Sequence, residues 1–171
     1  GRGCPARCTF CLWPQVTTGH SYRTRSAENS FEEVKEMQRL FPQMKEIFFD
    51  DETFTADPPR ARTLAELFKP LGVCWSTNSR ANVDRETLRV MREGGLRLFV
   101  VGYESGNDQI LKNIKKGVST ERARRFTQDC HDLGILIHGT FIVGLPGETH
   151  ETIEESIRFA REMNPETIQV S

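Results

Sequence analysis

Gly3-Cys4-Pro5-Ala6-Arg7-Cys8-Thr9-Phe10-Cys11-Leu12-Trp13-Pro14-Gln15 places three thiols within eight residues, in the spacing C-x3-C-x2-C. Three thiolates from one short loop can hold three irons of a 4Fe-4S cluster. No fourth cysteine lies nearby in the sequence, so the remaining iron of such a cluster would stay open to an outside ligand. Two other readings compete. A disulfide framework needs pairs, and five cysteines with three crowded together lack the density of a secreted scaffold. Three thiolates and one imidazole would also close a tetrahedral zinc site, and His20 follows nine residues after Cys11. Taken alone, the loop leaves the zinc and cluster readings open.

The 171 residues are 37% hydrophobic and 27% charged, enough for one substantial core. The 23 basic and 24 acidic residues are interspersed, so no single-sign field points to nucleic acid or an anionic membrane. Charges and glycines break every apolar run well short of the length of a transmembrane helix or a signal peptide. Free thiols fit a reduced, cytoplasmic setting. The chain opens on Gly1 with the cysteine loop already under way and no initiator methionine, and it reads as a piece of a longer protein.

Downstream, apolar runs of strand length alternate with helical periodicity. Ser30-x-x-Glu33 is a capping-box start for a helix through about Leu40, ended by Pro42. Glu46-Ile47-Phe48-Phe49 reads as a strand running into Asp50-Asp51-Glu52. Asp57 and two prolines open a helix carrying Leu64, Leu67, Phe68 and Leu71, which Pro70 and Gly72 close. Val73 to Thr77 makes the next strand, with Asn78, Ser79 and Arg80 beyond its end. Asp84 caps a helix stopped by Gly94-Gly95. Leu98 to Val101 is a strand entering Gly102-Tyr103-Glu104-Ser105-Gly106. A short helix over about Asp108 to Ile114 and a longer one to Leu133 lead to a strand over about Leu136 to Val143. Gly144 to Thr149 is a turn-rich loop before a helix from about Thr152 to Met163, and Thr167 to Val170 begins a further strand.

This alternation defines an α/β fold of repeated βα units with parallel strands. Periodicity does not choose between an open doubly wound sheet and a barrel. In either, the carboxyl ends of the strands carry the chemistry, and the polar residues Asp50, Asp51, Arg80, Glu104 and Ser105 and the segment Gly144 to Glu148 all fall at such ends. Cys74 and Cys130 sit where a lone cysteine is a small buried hydrophobe, and His131 and His138 read as hydrogen-bonded structural histidines. Trp75 reads as barrel filling, whereas Trp13 and Gln15 stand beside the cysteines and could face a substrate.

The cysteine spacing, with Phe10 just before the last thiol and these strand ends in order behind it, resembles the radical S-adenosylmethionine (SAM) enzymes. The resemblance implies a partial (β/α)6 TIM-like barrel whose first strand precedes the cysteine loop and is absent here, so residues 1–171 read as a radical SAM core. It implies that Cys4, Cys8 and Cys11 bind a 4Fe-4S cluster whose open iron takes the amino and carboxylate groups of SAM. By position, Phe10 would pack on the adenine, and Asp50 and Asp51 would stand where the family has Gly-Gly-Glu against the methionine amino group. Glu104 and Ser105 would meet the ribose, and Lys116 the SAM carboxylate. Ile142 and Gly144 belong to the stretch Thr140 to Thr149 that resembles the family's adenine-binding strand, and Arg80 completes the cofactor-binding set on the same rim. An electron donor such as flavodoxin or ferredoxin is implied.

The words Cys-Thr-Phe-Cys-Leu-Trp-Pro-Gln, Phe-Asp-Asp-Glu-Thr-Phe-Thr, Asn-Ser-Arg-Ala-Asn-Val-Asp and Gly-Thr-Phe-Ile-Val-Gly-Leu-Pro-Gly-Glu-Thr are similar to hopanoid-biosynthesis-associated radical SAM proteins. Those belong to the class with an N-terminal cobalamin-binding domain. The implied substrate is a small molecule or a lipid head group, reached at the inner membrane surface without a transmembrane segment. A cobalamin-dependent methyltransferase or methylthiotransferase acting on another substrate shares the same core. A non-catalytic domain stabilised by zinc or a cluster is the reading from outside enzymology.

Overall fold

The computed structural model describes residues 1–171, the Thr18 side chain excepted. Along the chain run α1 (Ala27–Leu40), β1 (Ile47–Phe49), α2 (Pro58–Phe68), β2 (Trp75–Arg80), α3 (Arg85–Glu93), β3 (Leu96–Glu104), α4 (Asp108–Asn113), α5 (Thr120–Asp132), β4 (Leu136–Phe141), α6 (His150–Met163) and β5 (Thr167–Val170).

Side chains at the helix starts satisfy backbone donors that have no partner within the helix. Asp57 accepts from the Arg60 N–H at 3.1 Å, and Asp84 from the Thr87 N–H at 2.9 Å. Thr149 and Thr152 cap one another reciprocally at the start of α6. The start of α1 departs from the expected capping box. Ser26, not Ser30, accepts from the Asn29 N–H at 3.1 Å, while the Ser30 hydroxyl bonds back to the Ser26 carbonyl. With Ser26 as the cap the helix begins at Ala27 and Ser30 lies inside it, so the expected box has no place to form, and Glu33 pairs with Arg25 instead.

All neighbouring strands are parallel, in the order β1-β2-β3-β4-β5. Sequential order is decisive, because a doubly wound sheet reverses its strand order at a switch point whereas a barrel winds one way. Helices α1, α2, α3 and α5 pack side by side in the same sense. The architecture is therefore an arc of a (β/α) barrel.

The register keeps one parity on the inner face. Phe48 pairs with Ser76, Asn78 with Val100, Val100 with His138, and Gly102 with Thr140. Odd-numbered partners face the helices, where Phe99, Val101 and Ile137 are fully buried. Trp75 shares this parity, which corrects its reading as barrel filling. It packs with Phe49, Phe54 and Phe68 between sheet and helices, and its indole N–H donates to the Gly94 carbonyl at 2.8 Å. The strand expected over Val73 to Thr77 is shifted along the chain. Asn78, Ser79 and Arg80 lie within β2, paired to β3, because the inner face there opens on a cavity that accepts polar side chains.

Candidate cofactor site

The cysteine loop is pinned at both ends. Near its start, Gly3 has φ +92° and donates its N–H to Glu52 Oε2 at 2.9 Å, beyond the end of β1. A side chain at Gly3 would collide with the Ser21 carbonyl, so glycine is required there. At the centre of the loop the Thr9 N–H donates to the Ile114 carbonyl at 2.9 Å. Cys4 Sγ lies 3.4 Å from Thr53 Oγ1, and Arg80 Nη1 donates to Cys8 Sγ at 3.6 Å.

Cys4, Cys8 and Cys11 line one cavity of about 440 Å³ together with Phe10, Asp50, Arg80, Glu104 and Lys116. That volume lies in the range of small-molecule sites. Burial pushes the Cys11 thiol up; the Trp13 backbone N–H and Lys116 act against this, and Cys8 and Cys4 reinforce it. His20, the fourth ligand a zinc site would need, has its Nδ1 3.0 Å from the Ala6 carbonyl and does not line this cavity. Among the described residues no three histidine, cysteine, aspartate or glutamate side chains converge enough to hold a single metal ion. Three soft thiolate donors lining one cavity fit a polynuclear iron–sulfur group, whose irons each take one thiolate.

Across the cavity, Lys116 Nζ donates to Glu104 Oε1 at 2.8 Å, with side chains only 7% and 8% exposed. The ammonium also stands 6.0 Å from the Phe10 ring centroid, within reach of a cation–π attraction. A β-bulge brings the pair together. The β3–β4 register shifts between Gly102 and Glu104, and Glu104 adopts φ 66°, a left-handed conformation that costs a non-glycine residue about 1 to 2 kcal/mol. The bulge keeps the Glu104 carboxylate on the inner face although the residue pairs with outward-facing Phe141. Gly102 leaves the room it needs, since a side chain there would run into Glu104 Oε1 and come within 2.8 Å of Lys116 Nζ.

Other sequence-derived candidates lie elsewhere. Asp51 turns from the cavity and accepts from the Tyr22 hydroxyl at 3.0 Å; burial, followed by the Asp51 charge, pushes the Tyr22 phenol well up. Ser105 is fully buried and bonds Ser156 of α6 at 3.0 Å. Ile142 packs with Phe10 against the apolar cluster of Ile110, Leu111, Ile114 and Leu145. Gly144, at φ +97°, has open space where a side chain would be, and its N–H is held by Glu148 Oε2. The Gly144 to Glu148 loop thus closes on its own carboxylate, which also accepts the Leu145 N–H at 2.9 Å. The cavity also takes in Glu52, Thr53, Asn78, Gly102 and Thr140, none of them given a role of its own from the sequence. For Asn78, Gly102 and Thr140 the signal was inner-face parity, which needs the register.

An arc of parallel β/α units with a three-thiol loop on its carboxyl rim defines a class of cofactor-dependent domain rather than a single activity. Residues 1–160 match the model of the Radical SAM superfamily, and the chain belongs to that family. It is 34% identical over 161 residues to cytidylyl-2-hydroxyethylphosphonate methyltransferase of Streptomyces wedmorensis, covering 90% of this chain and 30% of that protein. It is 33% identical over 166 residues to an uncharacterised methyltransferase of Pyrococcus horikoshii, covering 95% of this chain and 36% of that one. The chain thus spans about a third of these relatives. The fold superposes with a TM-score of 0.89 on the radical SAM methyltransferase TsrM from Kitasatospora setae, solved with cobalamin and a [4Fe-4S] cluster, at 20% identity over 99% of this chain and 32% of that one. No helix among the described residues is long and apolar enough to cross a membrane.

Proposed function

We propose that residues 1–171 form the catalytic core of a radical SAM enzyme in which Cys4, Cys8 and Cys11 hold three irons of a 4Fe-4S cluster and leave the fourth open to SAM. The observation that carries this reading is that the three thiols line the same cavity as Phe10, Glu104 and Lys116. When bound, the reduced cluster and SAM together supply a 5'-deoxyadenosyl radical that removes a hydrogen atom from substrate. The chain's own residues bind and orient. The Lys116 ammonium offers a charge to the SAM carboxylate, and Glu104 offers an acceptor to the ribose hydroxyls. Phe10, with Ile142 on the same apolar cluster, flanks the adenine, and Asp50 faces the amino group. Gly144 leaves the adenine side open, while Ser105 and Asp51 act from behind by fixing the backbone. Electrons come from a low-potential carrier such as flavodoxin or ferredoxin.

The test is anaerobic reconstitution with iron and sulfide. About four irons and four labile sulfides per chain are expected. Stoichiometric zinc without sulfide would sink the cluster reading and return the chain to a zinc-stabilised binding domain.

For the whole protein, we infer action on the polyol or sugar-derived head of a hopanoid lipid, a reading that rests on the sequence words Cys8 to Gln15, Phe49 to Thr55, Asn78 to Asp84 and Gly139 to Thr149. Hydroxylated carbons suit hydrogen abstraction because oxygen stabilises an adjacent radical. A cytoplasmic enzyme working at the inner membrane surface reaches such a head group without crossing the bilayer. Cobalamin-dependent methyl or methylthio transfer on another substrate, with the corrinoid held outside residues 1–171, is the second reading, favoured by the methyltransferase relatives. Deleting the gene in its host, profiling hopanoids by mass spectrometry, and complementing with wild type and Cys8→Ala separates the two. Composite head groups should vanish and return only with wild type. An unchanged profile rejects the hopanoid substrate and leaves methyl transfer standing.

A further inference from the structure

We propose that Arg80 is a positioning residue for the iron–sulfur group, tuning its reduction potential through the Cys8 sulfur; this rests on the cluster reading above. The guanidinium reaches Cys8 from the last residue of β2, with Nη1 to Sγ at 3.6 Å. Its backbone is fixed on both sides. The Asn82 N–H donates to the Arg80 carbonyl at 2.8 Å, and Ser79 Oγ donates to it at 3.1 Å. Opposite Arg80 in the register stands Gly102, which has no side chain to obstruct the guanidinium. On its far side lies the turn at Gly117, where an added Cβ would come within 3.4 Å of Nη2. Among the described residues no carboxylate forms an ion pair with Arg80, whereas the neighbouring cation Lys116 is paired to Glu104. The unneutralised positive charge is therefore aimed at a sulfur.

The consequence follows from charge. Reduction adds one electron from an external one-electron donor and no proton, so the reduced group carries one more negative charge than the oxidised one. A cation donating an N–H to a ligand sulfur stabilises the reduced form more and raises the potential. Guanidinium suits this task because it is always charged and its planar fork holds direction.

The test is spectroscopic redox titration of the reconstituted protein without SAM, comparing wild type, Arg80→Gln and Arg80→Lys, with Arg125→Gln as a remote exposed control. Poised at the wild-type midpoint, Arg80→Gln should show a reduced-to-oxidised ratio lower by at least about threefold, where tenfold is 59 mV for a one-electron couple. Arg80→Lys retains the charge but not the fork and should fall between, and Arg125→Gln should match wild type. If Arg80→Gln does not retain iron, Arg80→Lys alone decides, since the proposal requires its midpoint to lie below that of wild type. A variant midpoint equal to or above wild type overturns the proposal. So does an unchanged midpoint with weakened SAM binding, which would assign Arg80 to SAM directly. Failure of wild type itself to take up iron and sulfide would instead sink the cluster reading.

Discussion

Lys116→Met is expected to lower stability by about 3 to 5 kcal/mol, a fall of roughly 10 °C in the midpoint of thermal unfolding for a domain of this size. Lys116 and Glu104 are both buried and bonded at 2.8 Å. Removing the ammonium leaves a carboxylate in a poorly solvated site, held there by a backbone already in the left-handed region at φ 66°. The loss should therefore far exceed that of an exposed ion pair, where the median contribution is about 0 to 1 kcal/mol. Adding Glu104→Gln should recover most of the deficit, because neutralising both partners removes the unpaired charge. Chemical denaturation of the two single variants and the double variant measures this coupling. A double variant no more stable than Lys116→Met alone would mean that the pair is not the source of the effect. A separate variant, Glu104→Ala, reports function, since it should weaken SAM binding by roughly ten- to a hundredfold through the loss of a charge-assisted hydrogen bond.

The second large effect is expected at Gly106. The segment following the bulge docks on α6 through the Gly106 N–H, which donates to Ser156 Oγ at 2.9 Å, and through Ser105. A methyl group at Gly106 would fall 2.8 Å from Ser156 Cα and nearer still to Phe159 Cβ, so helix and loop must separate. Overpacking against backbone puts Gly106→Ala at the upper end of the usual range, about 3 kcal/mol, or roughly 6 to 12 °C. Because the Ser105 to Asn107 segment directly follows Glu104, SAM binding should fall along with the melting temperature. A variant that melts with wild type would show that α6 yields at no cost and that this docking does not set the loop.

What the sequence made legible, and what it concealed, divides along physical lines. Asp57 and Asp84 announced their helices because capping is a local exchange between residues three apart, whereas Thr149 read only as part of a turn-rich loop and α6 starts two residues earlier than expected. The thiol loop was legible for the same reason. Ser30 misled because Ser26, four residues earlier, offers an equally good cap, and the helix that starts there leaves Ser30 bonded to the Ser26 carbonyl. Barrel or open sheet was not legible, since it depends on strand order, which no local pattern records. Ser105 and Asp51 looked like ligand contacts because they sit at strand ends, yet a strand end presents side chains in two directions. Their hydroxyl and carboxylate turned to Ser156 and Tyr22, while Glu52, the next acid along, took the cavity position. Arg80 read as one more rim cation until the register placed Gly102 opposite it.

The shared parity of the inner face bears on how such a domain can diversify. On β2, β3 and β4 the residues that hold the protein together, Trp75, Phe99, Val101 and Ile137, alternate with those that meet the cavity, Asn78, Val100 and Thr140. Two nearly independent alphabets are therefore written on the same strands. A drift in the even letters can reshape the chamber for a new molecule while the odd letters keep the melting point. The inserted residue in β3 is where the alphabets meet, because there an inward-facing glutamate pairs with an outward-facing phenylalanine. Lineages of this fold should thus vary freely at positions such as 100 and 140 and tolerate no insertion or deletion between 102 and 104, where a one-residue slip would exchange the two alphabets.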